Sequence, residues 1–292
     1  MNIVLPQQKP AATIVASNDK AAALAGRPNI HELTVQGVIA YMQSHLSEPL
    51  SLGRLSNVGG FSPWHLDRIF TRETGLATMR YLTLLRIESA KNAALNSDQR
   101  IIEIAYDAGF NSLGSFGKRF THLVGMSPRD LRKAADRFDL GRWKATLDEL
   151  CGRRAAVGPG EGLTIEGVLF AHTLTTRAFD GWAVVSAASS GHPLAEPVSC
   201  TIARVPGPFV LGPVPSGRYT VHALGFPREI NAVDALAQRS TPRGRLLDVD
   251  VTAHARAASI VLTLRPPRAA DAPIVPPFAV LSERTARSRI RL

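Results

Sequence analysis

The chain has 292 residues, more than the usual single domain of roughly 100 to 200, so two domains are expected. With 45% hydrophobic and 20% charged residues it is not a disordered chain, and a formal charge of +10 with a pI near 10.3 favours polyanionic partners, either nucleic acid or an anionic membrane. Its two cysteines, Cys151 and Cys200, stand outside any CxxC or Cys/His spacing, which argues against a disulfide framework or a zinc site and for a reducing compartment.

Residues 1–34 mix Pro, Gln, Ala, Asn and Gly without helical or alternating period and read as a flexible arm. They lack a basic segment followed by an apolar core, and no later apolar run reaches the roughly 18 residues of a membrane span. A cytoplasmic protein with no membrane partner is expected.

From Val35 to Arg137 apolar residues recur at three- and four-residue spacing, which predicts a helical domain over residues 35–137. Ser51 can cap "LGRLSNVG"; Ser62 and Pro63 then open "SPWHLDRIFTRET" just after Gly60 and Phe61. Two short helices joined by a glycine turn form a helix-turn-helix, whose second helix has the dimensions to enter a DNA major groove. On that helix Leu66, Ile69 and Phe70 share a core face, while Trp64, Asp67 and Arg68 lie on another face, free to read bases. A long helical pattern follows from Ala77 to Asn96.

The phrase is then repeated. "IIEIAYDAGF", Ile101 to Phe110, supplies a first helix, with a start expected near Ser97 or Asp98, and Ser112 to Val124 supplies a second. Phe61, Leu66, Phe70 and Gly75 recur as Phe110, Phe116, Phe120 and Gly125 once one extra residue is allowed after Phe110. A connecting helix of about 18 residues spans roughly 27 Å, somewhat less than the roughly 34 to 36 Å between successive major-groove faces. Two helices held so can enter neighbouring grooves, with some bending of the duplex.

Residues 138–162 contain an amphipathic segment, Leu140 to Arg154, and a linker, Val157 to Gly162. Over 163–292 the texture changes to short apolar or alternating runs separated by Gly and Pro: "LTIEGVLFAHTL", "GWAVVSA", "VSCTIARV", "PFVLGPV", "GRYTVHALGF", "GRLLDVDVTA" and "ASIVLTLRP". That spacing predicts a β-sandwich. Within it, Phe209 and Leu211 alternate inward, Pro215 to Gly217 turn, and Tyr219, Val221 and Ala223 alternate back, as in a hairpin. The basic tail from Thr285 to Leu292 reads as frayed or loosely docked. The expected fold class is therefore multidomain: an all-α tandem helix-turn-helix domain followed by an all-β sandwich domain.

"LSLGRLSNVGGFSPWHLDRIFTRETG", "RIESAKNAAL", "IIEIAYDAGFNS" and "FGKRFTHLVGMSPRDLRK" together resemble the AraC/XylS family of transcription regulators over about a hundred residues. "WHLDRIFTRETG" is especially similar to the family's small activators. The resemblance implies that the positions of Trp64, Asp67 and Arg68 face bases, and so do those of Gly114, Ser115 and Lys118. Asp67 departs from the amide of those activators; a carboxylate can accept from cytosine N4 but repels phosphate. Gly114 offers no side chain for readout, so the first unit is expected to specify sequence and the second to clamp the backbone. Arg72, Lys118, Arg119 and Arg129 are the expected phosphate contacts, beside the helix openers Ser62 and Ser112. "PGPFVLGPVPSGRYTVHALGF" is similar to transthyretin-like or carboxypeptidase-regulatory-like β-sandwiches. In the family such a companion domain senses a small-molecule effector or pairs subunits, and activation requires a surface for RNA polymerase, which no pattern locates.

Plainer readings stand beside these. His65 either contacts phosphate or lies on the surface. Arg86 and Glu88 read as structural, and the family resemblance implies that Arg86 makes polar contacts between the two units instead of touching DNA. Lys91 reads as a solvated face residue. His172, His192, His222 and His254 show no metal spacing, and no catalytic fingerprint or cofactor motif appears, so a non-enzyme without cofactor is expected. Two rivals are kept: a DNA-repair methyl acceptor, which needs a reactive cysteine, and a nonspecific DNA-compacting protein.

Overall fold

Most helices of the N-terminal half open at a side chain that accepts one of the otherwise orphaned first-turn amides. Asn29 opens α1 (Ile30–Ser44), Ser51 opens α2 (Leu52–Gly59) and Ser62 opens α3 (Pro63–Thr74). The long α4 (Thr78–Asn96) has Ala77 before it and no side-chain cap from that residue. Next come α5 (Ile101–Asp107), α6 (Leu113–Val124) opened by Ser112, α7 (Pro128–Asp136) opened by Ser127, and α8 (Leu140–Cys151). Gly60, Gly75, Gly109 and Gly125 turn the chain with φ of 70°, 80°, 81° and 85°.

The computed structural model describes residues 16–17, 29–151, 163–171, 179–189, 197–252, 257–271 and 273. They fall into two units. Of the described residues, one gathers 29–149, 226–242, 266–271 and 273; the other gathers 16–17, 150–151, 163–171, 179–189, 197–225, 243–252 and 257–265. The helical unit thus includes chain that the sequence assigns to the β domain. Trp143 packs edge-on against Phe226 with ring centroids 5.2 Å apart, Lys144 donates to the Arg228 carbonyl at 2.6 Å, and the Tyr81 hydroxyl donates to the carbonyl of Ala269 at 2.6 Å. A further short helix, α9 (Ala232–Ala237), packs on α4.

Helix α4 is the centre of the helical unit. Tyr81, Leu82, Leu84, Leu85, Ile87, Ala90, Lys91 and Ala94 are all buried, and these positions run round its circumference. Its exposed residues, Met79, Arg80 and Asn96, lie at the two ends, and so Lys91 in the interior of the helix, expected on a solvated face, is instead fully enclosed. Helix α1 also starts earlier than the expected boundary at residue 35, because Asn29 accepts the His31 amide at 3.0 Å. Of the expected arm, Ala16–Ser17 forms a short strand, β1, parallel to Ile260–Val261. The linker Val157 to Gly162 and the tail Thr285 to Leu292 lie outside the described residues, as do His172, His192 and His254.

The other unit is β-rich. Strands β2 (Leu163–Ala171), β3 (Gly181–Ser189), β4 (Ser199–Val205), β5 (Gly207–Val214), β6 (Gly217–Pro227), β7 (Arg243–Val251) and β8 (Ala257–Leu264) form two four-stranded sheets, ordered β1-β8-β2-β5 and β4-β3-β6-β7. Inward residues of both, including Ile165, Leu169, Val185, Leu211, Val221, Val249 and Leu262, make one apolar cluster. Phe209, Leu211, Tyr219, Val221 and Ala223 are all buried as expected, with clean alternation on β5, while on β6 the intervening Thr220 is buried too. The expected hairpin does not form. β5 pairs with β2 in one sheet and β6 with β7 in the other, so the Pro215 to Gly217 turn carries the chain between sheets. The Tyr219 hydroxyl donates to the Pro215 carbonyl at 2.7 Å and holds that corner. Inward–outward alternation is the same for a hairpin and a crossing, which is why the pattern could not distinguish them.

Two outcomes follow for stability. Nothing lies within 4 Å of a Cβ placed on Gly117, so G117A raises stability by about 0.5–1 kcal/mol through helix propensity, read as the urea midpoint. A Cβ on Gly109 would strike the Leu46 carbonyl and come within 2.8 Å of Arg86 Nε at a left-handed φ, so G109A destabilises by more than about 2 kcal/mol.

On β6, His222 stands opposite Arg245 and its Nε2 is buried without a hydrogen-bond partner among the described residues. Burial first, then the Arg245 charge, push its pKa down to about 4 from 6.5. Between these values the unfolded chain binds a proton that the native one refuses, so stability falls as pH is lowered through that window. H222Q makes the fall in urea midpoint between pH 7 and 4 shallower than in the parent.

Candidate nucleic-acid interface

Helix α3 buries Leu66, Ile69, Phe70 and Thr74 and turns its other side outward. Trp64 on that side is 72% exposed, an unusual state for so large an apolar ring. The Arg68 guanidinium, one turn on, lies 5.2 Å from the Trp64 ring centroid. This cation–π pair orders two long side chains that would otherwise sample many rotamers, and leaves the guanidinium edge in solvent.

The neighbouring residues are placed differently. His65 is half-buried and packs on Phe61 with centroids 4.7 Å apart, and His31 of α1 meets His65 at 5.9 Å. Together with Ser56, Asn57, Gly60 and Ser62, Phe61 and His65 line a shallow cleft at the start of α3. Ser62 itself accepts the His65 amide at 3.3 Å. Asp67 directs one carboxylate oxygen inward, 2.8 Å from the Thr78 amide. Arg72 is exposed but engaged: its guanidinium donates to Glu73 at 2.9 Å and to His31 Nδ1 at 2.9 Å. The role of His31 escaped the sequence reading, which began the helical domain at residue 35. The Asn29-x-x-Glu32 spacing of a helix start was the available signal.

Helix α6 repeats the core face with Phe116, Phe120 and Val124. Ser112 accepts the Ser115 amide at 3.2 Å and its hydroxyl donates to Ser115 Oγ at 2.8 Å, so both serines are spent on opening the helix. Outward lie Gly114, with open space around it, and the exposed Lys118 and Arg119. Arg129 is exposed in the first turn of α7. The exposed face of α3 is thus an aromatic ring with a stacked cation, and that of α6 is a pair of cations beside glycine.

Arg86 takes no part in either face. From α4 it donates to the carbonyls of Leu46 at 3.0 Å and Glu48 at 2.7 Å, beside Gly109 of the second turn. Burial, and then the charge of Arg119, lower its pKa.

A helix-turn-helix domain family model matches residues 55–134. An uncharacterised HTH-type transcriptional regulator of Bacillus subtilis, YbfP, is 37% identical over 108 residues, which cover 37% of each chain. One from Staphylococcus aureus is 37% identical over 98 residues, covering 34% of this chain and 13% of its own. The chain therefore spans well under half the length of the curated relatives it matches. Among solved structures, the DNA-binding domain of AdpA in complex with a target DNA is 28% identical with a TM-score of 0.35, covering 36% of this chain and 94% of that one. The C-terminal domain of AraT, a response regulator from Geobacillus stearothermophilus, is 30% identical with a TM-score of 0.33, covering 34% and 84%.

The described residues contain no group of three or more His, Cys, Asp or Glu placed to hold a metal, and no helix long and apolar enough to cross a membrane. Burial pushes the Cys200 thiol up to about 11, which starves it of the thiolate that alkyl transfer needs. Iodoacetamide at pH 7.4 should therefore label Cys200 in the native protein roughly a hundredfold more slowly than in urea, followed by peptide mass. Equal rates in the two states would show an exposed, reactive thiol.

Proposed function

We propose that the chain is a cytoplasmic, sequence-specific transcription regulator of the AraC type, binding double-stranded DNA with α3 and α6 in successive major grooves. The observation that carries the reading is the Trp64–Arg68 pair: a ring 72% exposed, with a guanidinium ordered over it, on the outward face of the second helix of a helix-turn-helix. An arginine held in place can meet guanine O6 and N7 with both ends of its fork, and the indole can pack on a thymine methyl. Helix α6 offers no comparable reader. With Lys118 and Arg119 beside Gly114, it suits the phosphate backbone, and Arg72 and Arg129 add to the same role. Ser62, Ser112 and Ser115 serve by forming the helix starts, whose free amides favour phosphate. Helix α4, at 19 residues about 28 Å long, sets the separation of the two units.

In this reading the β unit is a transthyretin-like sandwich that binds an effector or pairs two copies. Its support is the single core shared by two four-stranded sheets. The chain carries out no catalysis; the high thiol pKa of Cys200 weighs against the methyl-acceptor rival.

Selection of genomic fragments by the full-length protein at near-physiological salt tests the proposal. An asymmetric motif about two helical turns long is expected. R68A should lose about 1–3 kcal/mol on that motif and relax preference at one position, with little loss on unrelated duplexes. K118A should weaken all duplexes alike and lower the salt slope by about one. If R68A weakened every duplex equally, the protein would be a nonspecific DNA-compacting one.

A further inference from the structure

The duplication lets one half of the helical unit serve as a control for the other. After Gly75 the first repeat reads Leu76-Ala77-Thr78 into α4; after Gly125 the second reads Met126-Ser127-Pro128 into α7. Both helix starts face the same problem. The first residue of the helix is buried in each, Thr78 at 0% exposure and Pro128 likewise inside, so water cannot satisfy an amide there.

The second repeat solves this locally. Pro128 has no amide hydrogen to satisfy, and Ser127 accepts the Asp130 amide at 3.1 Å. The first repeat has neither device: Ala77 offers no cap, and Thr78 carries a donor. Its acceptor comes from elsewhere, from Asp67 on α3, whose Oδ1 is 2.8 Å from the Thr78 nitrogen. At the corresponding place in the second repeat, eight residues before the closing glycine, stands Gly117, which has no side chain to lend. Aspartate occurs where the local cap is missing, and glycine where it is present.

We propose that Asp67 is a positioning residue, not a base reader: its carboxylate pins α3 to the start of α4. A carboxylate at a helix N-terminus is favoured by the helix dipole, and here the amide is also sealed from solvent. The link joins the helix carrying Trp64 and Arg68 to the 19-residue helix that spaces the two repeats. It therefore fixes the rotation of α3 about its own axis, on which the aim of Arg68 depends. The inference rests on the reading of α3 as the recognition helix, but the cap itself does not.

The test uses the full chain in a mutant cycle with two readouts, hydrogen exchange over residues 76–82 and selection of bound DNA. Expected are exchange at least tenfold faster in D67A, a midpoint of thermal unfolding lower by about 2–4 °C, and binding to the selected motif weaker by about fivefold to tenfold with the same base preferred at every position. D67N keeps an acceptor oxygen and should match the parent in both readouts. A77S/T78P writes the second repeat's solution into the first; adding D67A to it should change the unfolding midpoint and the affinity no further. The proposal is overturned if D67N switches the preferred base at one position, as cytosine to adenine, or if D67A leaves exchange unaltered, or if its effect persists undiminished in the A77S/T78P background. Should the parent select no motif, the recognition reading falls by itself and the exchange and unfolding arms still decide the cap.

Discussion

The Arg86 guanidinium is the contact on which the tandem arrangement depends. It leaves the central helix α4 and donates to the carbonyls of Leu46 and Glu48, which belong to the turn between α1 and α2, while lying against Gly109 in the second helix-turn-helix. A partly buried cation without such acceptors would be costly, and carbonyls at a turn without a donor would be so too. Each therefore requires the other. The left-handed glycine is what lets the second turn come close enough for the arrangement to close. Arg132 repeats the device at the other end of α4, where it donates to the carbonyl of Ala94, one of those a helix end leaves unpaired, and to those of Ser97 and Gln99 just past it. One arginine fixes the first repeat to α4 and the other fixes the exit from α4.

This explains which parts of the molecule could be read in the sequence. Ser51, Ser62 and Ser112 open their helices as their chemistry dictates, and Leu66, Phe70, Phe116 and Phe120 are buried as their spacing requires. Caps and periodicity are local, and a local rule needs no knowledge of the rest of the chain. Lys91 is the counterexample. Its charge argues for solvent, and only the packing of α4 among the other helices encloses it. Asp67 is another, because its partner Thr78 lies beyond a glycine turn and on another helix, and only the missing cap at Ala77 hints at it. The division of the chain was harder still. Phe226, near the end of β6, and Ala232–Ala237, shortly beyond it, pack with the helices, through Trp143 and α4, and no spacing announces that. The sheet change at Pro215 to Gly217 was hidden for a related reason: alternation fixes which face a residue takes, not which strand it pairs with.

The two repeats have diverged in how much order they impose on the side chains they present. In α3 the exposed ring and cation are coupled to each other, and the helix is pinned at Asp67. In α6 two glycines lower helix propensity by up to about 1 kcal/mol each, and among the described residues no aromatic ring stacks on Lys118 or Arg119 as Trp64 does on Arg68. Reading a base demands a fixed fork, since a bidentate contact tolerates little error in aim. Holding a phosphate does not: an ammonium on a flexible stem attracts the chain of charges from many positions, and the helix start adds its own field. On the proposed reading, rigidity is therefore concentrated in the repeat that must choose a sequence. On that same reading the other repeat can keep glycine at positions 114 and 117, where a side chain would meet open space, because sequence-blind attraction is all that is asked of it.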